Sequence, residues 1–496
     1  MVCTIFKHFF ISPSNPSKPR PLSVLLSSSL STASPLSDQT PLVADVVTLL
    51  THHRSKSRWS HLRNLLTSTT TNKLTPFTFS QIALHLKSNP HLALNFFNFT
   101  LRNSLCDHDL RSHSTIIHLL SRARLKARAQ HVIRYALVQS VLFGHGDPPV
   151  KLFEVLVRTY RDCDSAPFVF DLLIKSCLDM KKIDGSIRIV RMLRSRGISP
   201  QVSTCNALIS SVSQCKGSYA GYGVFREVFS LENDEGESEV KRAVRVRPNV
   251  NSFNSLMVGF YRDGDMEMVE EVWSEMGRFG CAANEYSYSI LMAVFCDGER
   301  MQEAETIWKE MRVNGIRPDL VAYNTIIGGF CKIGEVGKAE DFVREMGLSG
   351  IGSTSVTLEH LMNGYCKVGD FDSAILVYKD MIRKKFRAEA LTIDALIGGL
   401  CEKKRLPEAL KILRFATRDA CFYPSRMGYE FLIKGLCDEG KMNEALKLQA
   451  EMVGKGFEPN SGIYEAFIEG YRNLGNEEMV SMLGKEISEL EKQQEE

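Results

Sequence analysis

Five cysteines recur along the second half of the chain at near-constant intervals. Cys296, Cys331, Cys366, Cys401 and Cys437 stand 35, 35, 35 and 36 residues apart. Thiols suggest metal or disulfide chemistry, but the sequence holds no C-x-x-C pair of the kind that zinc sites use. One cysteine per period is the pattern of a small buried apolar residue in a packing seam. His52 and His53 are adjacent but have no cysteine or carboxylate cluster beside them, so they read as surface residues. The G-x-x-x-x-G-K-[ST] phosphate loop, the G-x-S-x-G nucleophile elbow and the H-x-E…P-C-x-x-C deaminase pattern are all missing. No catalytic residues, no metal and no cofactor are therefore expected.

Charge and hydrogen bonding are the chemistry that remains. The net charge is only +3, but its distribution is uneven: residues 1–200 carry 26 Lys/Arg against 11 Asp/Glu, and the remainder is net acidic. A basic N-terminal part suits a polyanion. The first 37 residues hold Lys7, Lys18 and Arg20, abundant serine and no acidic residue before Asp38. This composition reads as an organellar transit peptide over 1–40, mitochondrial first and plastid as the alternative. No apolar run is long enough to span a membrane, so no membrane partner is expected.

The elements that must position such groups are set by the same period. Ala304, Ala339, Ala374 and Ala409 repeat it, as do Met276, Met311, Met346 and Met381. With 496 residues the chain exceeds what one compact core serves, and a repeat stack resolves the problem. Each period predicts two helices. Tyr323, Ile326, Ile327 and Phe330 follow helical spacing, Gly334 stops that helix, and Ala339, Phe342, Val343 and Met346 begin the pattern again. Gly329, Gly364, Gly399 and Gly435 lie inside first helices, where glycine costs about 1 kcal/mol relative to alanine. Close approach of a neighbouring helix is the simplest compensation. A hairpin cannot bury its apolar face alone, so the expected fold is all-α, a right-handed superhelical solenoid of stacked helix–turn–helix repeats of about 35 residues.

Units such as PDLVAYNTIIGGFCKIGEVGKAEDFVREM resemble the pentatricopeptide repeat family, in its pure-repeat P class of plant organellar type. The Trp–Leu–Gly–Tyr pattern of the protein-binding tetratricopeptide repeats is absent from the first helices. Expected boundaries are 1–40 for the transit peptide, 41–75 for a linker or cap, and 76–166 for degenerate repeats. The main array runs over 167–495, in units 167–201, 202–249, 250–284, 285–319, 320–354, 355–389, 390–425, 426–460 and 461–495. The 202–249 unit is overlong, with its excess placed near the acidic stretch LENDEGESEV.

The resemblance implies sequence-specific binding of single-stranded organellar RNA at one base per repeat, serving transcript stabilisation, processing, splicing or translation. It places one reader after the aromatic residue of each first helix and the other at the end of the unit. On this chain the pairs are Asn206 with Asn249, Asn254 with Asn284, Ser289 with Asp319, and Asn324 with Thr354. By resemblance they read pyrimidine, pyrimidine, G and pyrimidine, 5′ to 3′. Arg262, Lys332 and Lys367 share a column at first-helix ends and are expected to contact phosphates. Asp171 with Gln201, Glu359 with Glu389, Asp394 with Ser425, and Glu430 with Asn460 match no readable combination. The C-terminal units therefore either bind RNA weakly or bind protein, and the alternative function is a helical protein-binding scaffold. DNA is not an expected partner.

Overall fold

The computed structural model describes residues 40–52, 57–68, 74–139, 146–229, 246–418 and 425–495. Among these, all regular structure is helical, in 25 helices joined by short turns. The transit-peptide stretch, apart from its last residue, lies outside the described residues, as does the acidic segment 230–245. The helices Ser218–Phe229 and Val250–Asp263 flank that segment.

The two-helix reading of each period holds. In one unit the first helix is Leu320–Ile333 and the second Val336–Leu348; in the next they are Ser355–Val368 and Phe371–Arg383. Tyr323, Ile326, Ile327 and Phe330 are buried on one side of the first helix, and Ala339 and Met346 on the facing side of the second. Burying each large apolar side chain is worth about 1.5–3 kcal/mol. Gly334 ends the first helix at φ 87°, where its N–H is shared between the carbonyls of Phe330 and Cys331. A side chain is strained in that left-handed conformation.

Each first helix packs on its own second helix and on the first helix of the next unit. Gly329 and Gly364 mark that second contact, whereas a Cβ on Gly399 or Gly435 would meet Phe371 or Leu406, the first residues of the preceding units' second helices. A Cβ on Gly329 would stand 2.5 Å from Sγ of Cys296, one period back, and a Cβ on Gly364 would stand 2.9 Å from Cβ of Cys331. At these two joints the cysteine of one unit and the glycine of the next are thus two halves of one seam. The thiols behave accordingly, with burial raising Cys296, Cys331 and Cys437 to about 12.

The N-terminal part departs from the regular pattern. Residues 41–75, expected as a linker or cap, carry the helices Thr40–His52 and Arg58–Ser68. Val43, Val46 and Leu50, at helical spacing, seat the first of them in the core. Further on, the helix Pro148–Thr159 lies against Leu110–Arg122 without a second helix of its own before Val169. His118 joins them: its Nε2 is 3.1 Å from both the Leu156 carbonyl and Thr159 Oγ1, and its Nδ1 is 2.6 Å from Ser165 Oγ. Burial lowers the His118 pKa to about 4, so the ring is neutral and acts as a structural link.

Candidate nucleic-acid interface

The last residue of each unit is also the N-cap of the following first helix. Asn249, Asn284, Asp319 and Thr354 all adopt extended backbone there, and each side chain accepts the N–H three residues on. The acceptors serve Ser252, Ser287, Ala322 and Thr357 respectively. Three of these ends are capping boxes, in which the hydroxyl of Ser252, Ser287 or Thr357 in turn receives the cap residue's own N–H.

These hydroxyls reach back to the preceding first helix. Ser252 Oγ donates to Asn206 Oδ1 at 2.7 Å, Ser287 Oγ to Asn254 Oδ1 at 2.8 Å, and Thr357 Oγ1 to Asn324 Oδ1 at 2.7 Å. Asn206 Nδ2 donates to Asn249 Oδ1 at 3.1 Å, and Asn254 Nδ2 to Asn284 Oδ1 at 3.2 Å. The structure therefore joins two of the expected pairs directly and joins Asn324 with Thr354 through Thr357. Ser289 and Asp319 share no hydrogen bond; Ser289 Oγ turns to the Glu285 carbonyl at 2.9 Å. In Asn206 and Asn254 one N–H and one oxygen lone pair are spent on the protein, which fixes the amide and leaves one of each for a ligand. Asn254 is 3% exposed and Ser289 4%, whereas Asn206 and Asn324 are half-buried.

The third partner in each cluster, the hydroxyl at 252, 287 or 357, was not among the residues expected from the sequence. The sequence carries a sign of it: Asn249, Asn284 and Thr354 are each followed three places on by Ser or Thr, the spacing of a reciprocal cap.

The basic column is committed to helix ends. Lys332 Nζ donates to the Asp297 carbonyl at 3.0 Å and lies 3.3 Å from its carboxylate. Lys367 Nζ donates to the Lys332 carbonyl, and Arg262 Nη2 to that of Ser213 at 3.4 Å. A cation is favoured at a helix C-terminus, so these heads serve the stack, and any phosphate would share them with those carbonyls. Asp297, at the same column, accepts from Tyr261 Oη at 2.5 Å; burial first, and then this carboxylate, push that phenol's pKa up.

No group of three or more His, Cys, Asp or Glu among the described residues is arranged to hold a metal ion, and no helix there is long and apolar enough to cross a membrane.

Fold and interface together define a class: a helical-hairpin stack in which one polar helix-borne side chain per unit meets the cap of the next. The PPR repeat family model matches residues 248–297, 353–402 and 424–473, and further PPR repeat models match 286–316 and 314–347. A pentatricopeptide repeat-containing protein of Arabidopsis thaliana is 58% identical over 478 residues, covering 95% of this chain and 95% of its own length. The chain belongs to the pentatricopeptide repeat family. A second Arabidopsis relative, named mitochondrial, is 31% identical over 168 residues, covering 34% of this chain and 30% of its own; other, less similar relatives also carry that word in their names. Among solved structures, maize PPR10 aligns with a TM-score of 0.41 at 17% identity, covering 90% of this chain and 78% of its own. Its complex with an 18-nt psaJ RNA element aligns at 0.43 and 16%, covering 91% and 65%.

Proposed function

We propose that this chain binds single-stranded RNA selectively, one base per unit, through Asn206/Asn249, Asn254/Asn284, Ser289/Asp319 and Asn324/Thr354. The observation that carries this reading is the repeated fixing of an amide by its cap and N3 hydroxyl, as at Asn254 with Asn284 and Ser287. Repeats of this family read one base each with two or three side chains, and an amide with one donor and one acceptor to spare meets a base edge. Asp319 has one oxygen on the Ala322 N–H, and its second oxygen is an acceptor suited to the donor-rich edge of guanine. The serine-rich, acid-poor N-terminus and the names of the mitochondrial relatives support action in mitochondria on organellar transcripts.

The test is fluorescence anisotropy with short RNAs carrying pyrimidine–pyrimidine–G–pyrimidine, open or locked in a hairpin stem. Binding should favour the open strand, because pairing hides the edges, and weaken with salt with a log–log slope of about −0.7 per neutralised phosphate. Equal affinity for stem and strand would overturn the reading.

The column of Glu359, Asp394 and Glu430 favours a second role for the C-terminal units, since carboxylates repel phosphate. Those units then contribute protein contacts in place of RNA contacts. RNA-independent capture of one partner by residues 355–495 within the full chain, abolished by substitutions there, would establish it.

A further inference from the structure

Asp171, Glu359 and Asp394 occupy the helix-borne reader column, yet each faces a cap differently from the asparagines. Asp171 Oδ1 accepts the backbone N–H of Gln201 at 2.9 Å, and Glu359 Oε1 accepts the backbone N–H of Glu389 at 3.1 Å. Gln201 and Glu389 are the N-caps of the helices Val202–Lys216 and Ala390–Glu402, and neither uses its own side chain as a cap. At Ser425, whose hydroxyl caps through the Met427 N–H, that hydroxyl also donates to Asp394 Oδ2 at 2.5 Å. Asp171 and Asp394 are 8% and 3% exposed.

The correlation is informative. Where the cap is Asn249, Asn284, Asp319 or Thr354, its side chain satisfies the helix end and the helix-borne residue is neutral. Asn460 also caps with its own side chain, and there its Nδ2 donates to the acid Glu430 at 2.7 Å, whose carboxylate takes this amide in place of an N–H of the helix end. Where the cap is Gln201 or Glu389, whose side chains do not cap, an acid on the preceding unit accepts the cap residue's own N–H, as the hydroxyls of Ser252, Ser287 and Thr357 do elsewhere. A helix N-terminus leaves unsatisfied N–H groups and partial positive charge, and a carboxylate answers both.

We infer that Asp171 and Glu359 are caps supplied in trans by one repeat to the next, with Asp394 holding the hydroxyl of the cap Ser425, and that these units are silent in base recognition. In each acid one carboxyl oxygen is held by the following helix end, and a negative charge on the helix-borne side of the pair would repel the RNA backbone. The second half of the inference rests on the RNA reading above and deepens it: base identity is read between Asn206 and Thr354, and the acid-bearing units before and after that block lend rigidity.

The experiment uses the full-length chain and its alanine and amide variants. Hydrogen exchange followed by mass spectrometry reads the peptides around Gln201 and Glu389. Asp171→Ala and Glu359→Ala should speed exchange there about tenfold, the scale of losing a helix cap. Asp171→Asn and Glu359→Gln keep an acceptor oxygen and should retain at least wild-type protection, which also covers the case of an alanine variant that folds poorly. Unchanged exchange in both alanine variants would overturn the capping assignment, whether or not RNA binds. In parallel, the ranking of RNAs that differ at the base opposite each of these units should be the same for wild type and Glu359→Ala. A ranking altered at that base alone would overturn the silent assignment while leaving RNA binding itself intact.

Discussion

Asn254 and Asn284 are thirty residues apart in the chain and meet through a single hydrogen bond, Nδ2 to Oδ1 at 3.2 Å, with Ser287 closing the triangle on both. A helix cap and the residue proposed to touch a base are parts of one cluster, so on the proposed reading a change to either should disturb both folding and recognition.

Ser287→Ala tests that coupling. Ser287 is fully buried, and its hydroxyl bonds to Asn254 and receives the Asn284 N–H at 3.2 Å. Leaving these groups unsatisfied should cost about 1–2 kcal/mol in chemical denaturation. RNA affinity should fall as well, with the loss of discrimination concentrated at one base. A variant that is destabilised and still discriminates at every position would uncouple the two roles.

Ser289→Asn should move the preference at one position from G toward U. Asparagine fits there, because Asn254 at the equivalent place is just as buried and lies in a helix of the same kind. Serine and asparagine also have similar helix propensities. The change in discrimination should be on the order of 1–3 kcal/mol, taking the scale of a base-edge pair in DNA. Identical ranking of two RNAs differing only at that base would show that Ser289 and Asp319 are not a reading pair.

Gly329→Ala should destabilise by about 1–3 kcal/mol, as overpacking does, despite the usual helix gain. The added methyl meets Cys296 and Met301. Gly337→Ala, in the following helix with nothing within 4 Å of the new methyl, should instead be neutral or stabilise by up to about 1 kcal/mol. Thermal melts of the two side by side give opposite signs if the seam is tight.

Glu359 sets a pH dependence. Burial first, and then the neighbouring Glu389 carboxylate, raise its pKa from 4.5 to about 7, while the Glu389 N–H acts the other way. Between those values the folded chain keeps a proton that the unfolded chain has released, so this group's contribution to stability falls as pH rises from 4.5 through 7. Glu359→Gln removes the slope. It should leave the protein more stable than wild type above pH 7, by about 1 kcal/mol once solvent screening of a half-buried group is counted, and closer to wild type near pH 5. Parallel stability–pH curves for the two proteins would contradict this.

Cys215 is exposed, while Cys331 and Cys437 are buried with thiols held near 12. Native-state alkylation at pH 8 should modify Cys215 well ahead of the seam cysteines, which should react only on unfolding. Rapid native labelling of Cys331 would mean that the seam opens.

The stack was legible in the sequence because its period is carried by independent columns, and Gly329 with Cys296 shows why: the seam needs both residues small, so both recur. The reader pairs were placed by resemblance, and their second members proved to be helix caps. That role is hard to see along the chain, since Asn284 closes one unit by count but starts the next helix by geometry. The orientation of Ser289 toward the Glu285 carbonyl is a rotamer choice that no spacing encodes. The helices Thr40–His52 and Arg58–Ser68 lie where the sequence suggests a linker or cap, and the helical spacing of Val43, Val46 and Leu50 is the signal for the first of them.

The cluster of Asn254, Asn284 and Ser287 draws on two successive first helices, Val250–Asp263 and Glu285–Asp297. Cutting the chain at residue 284 would keep both asparagines and discard the hydroxyl that orients the first. The smallest graft that carries one complete position is thus 250–297, three helices where the repeat has two. Neighbouring grafts overlap by a helix, so chimeras are better assembled as tiles sharing an edge than as interchangeable bricks. Any engineered change of target then has to be specified for adjacent positions together.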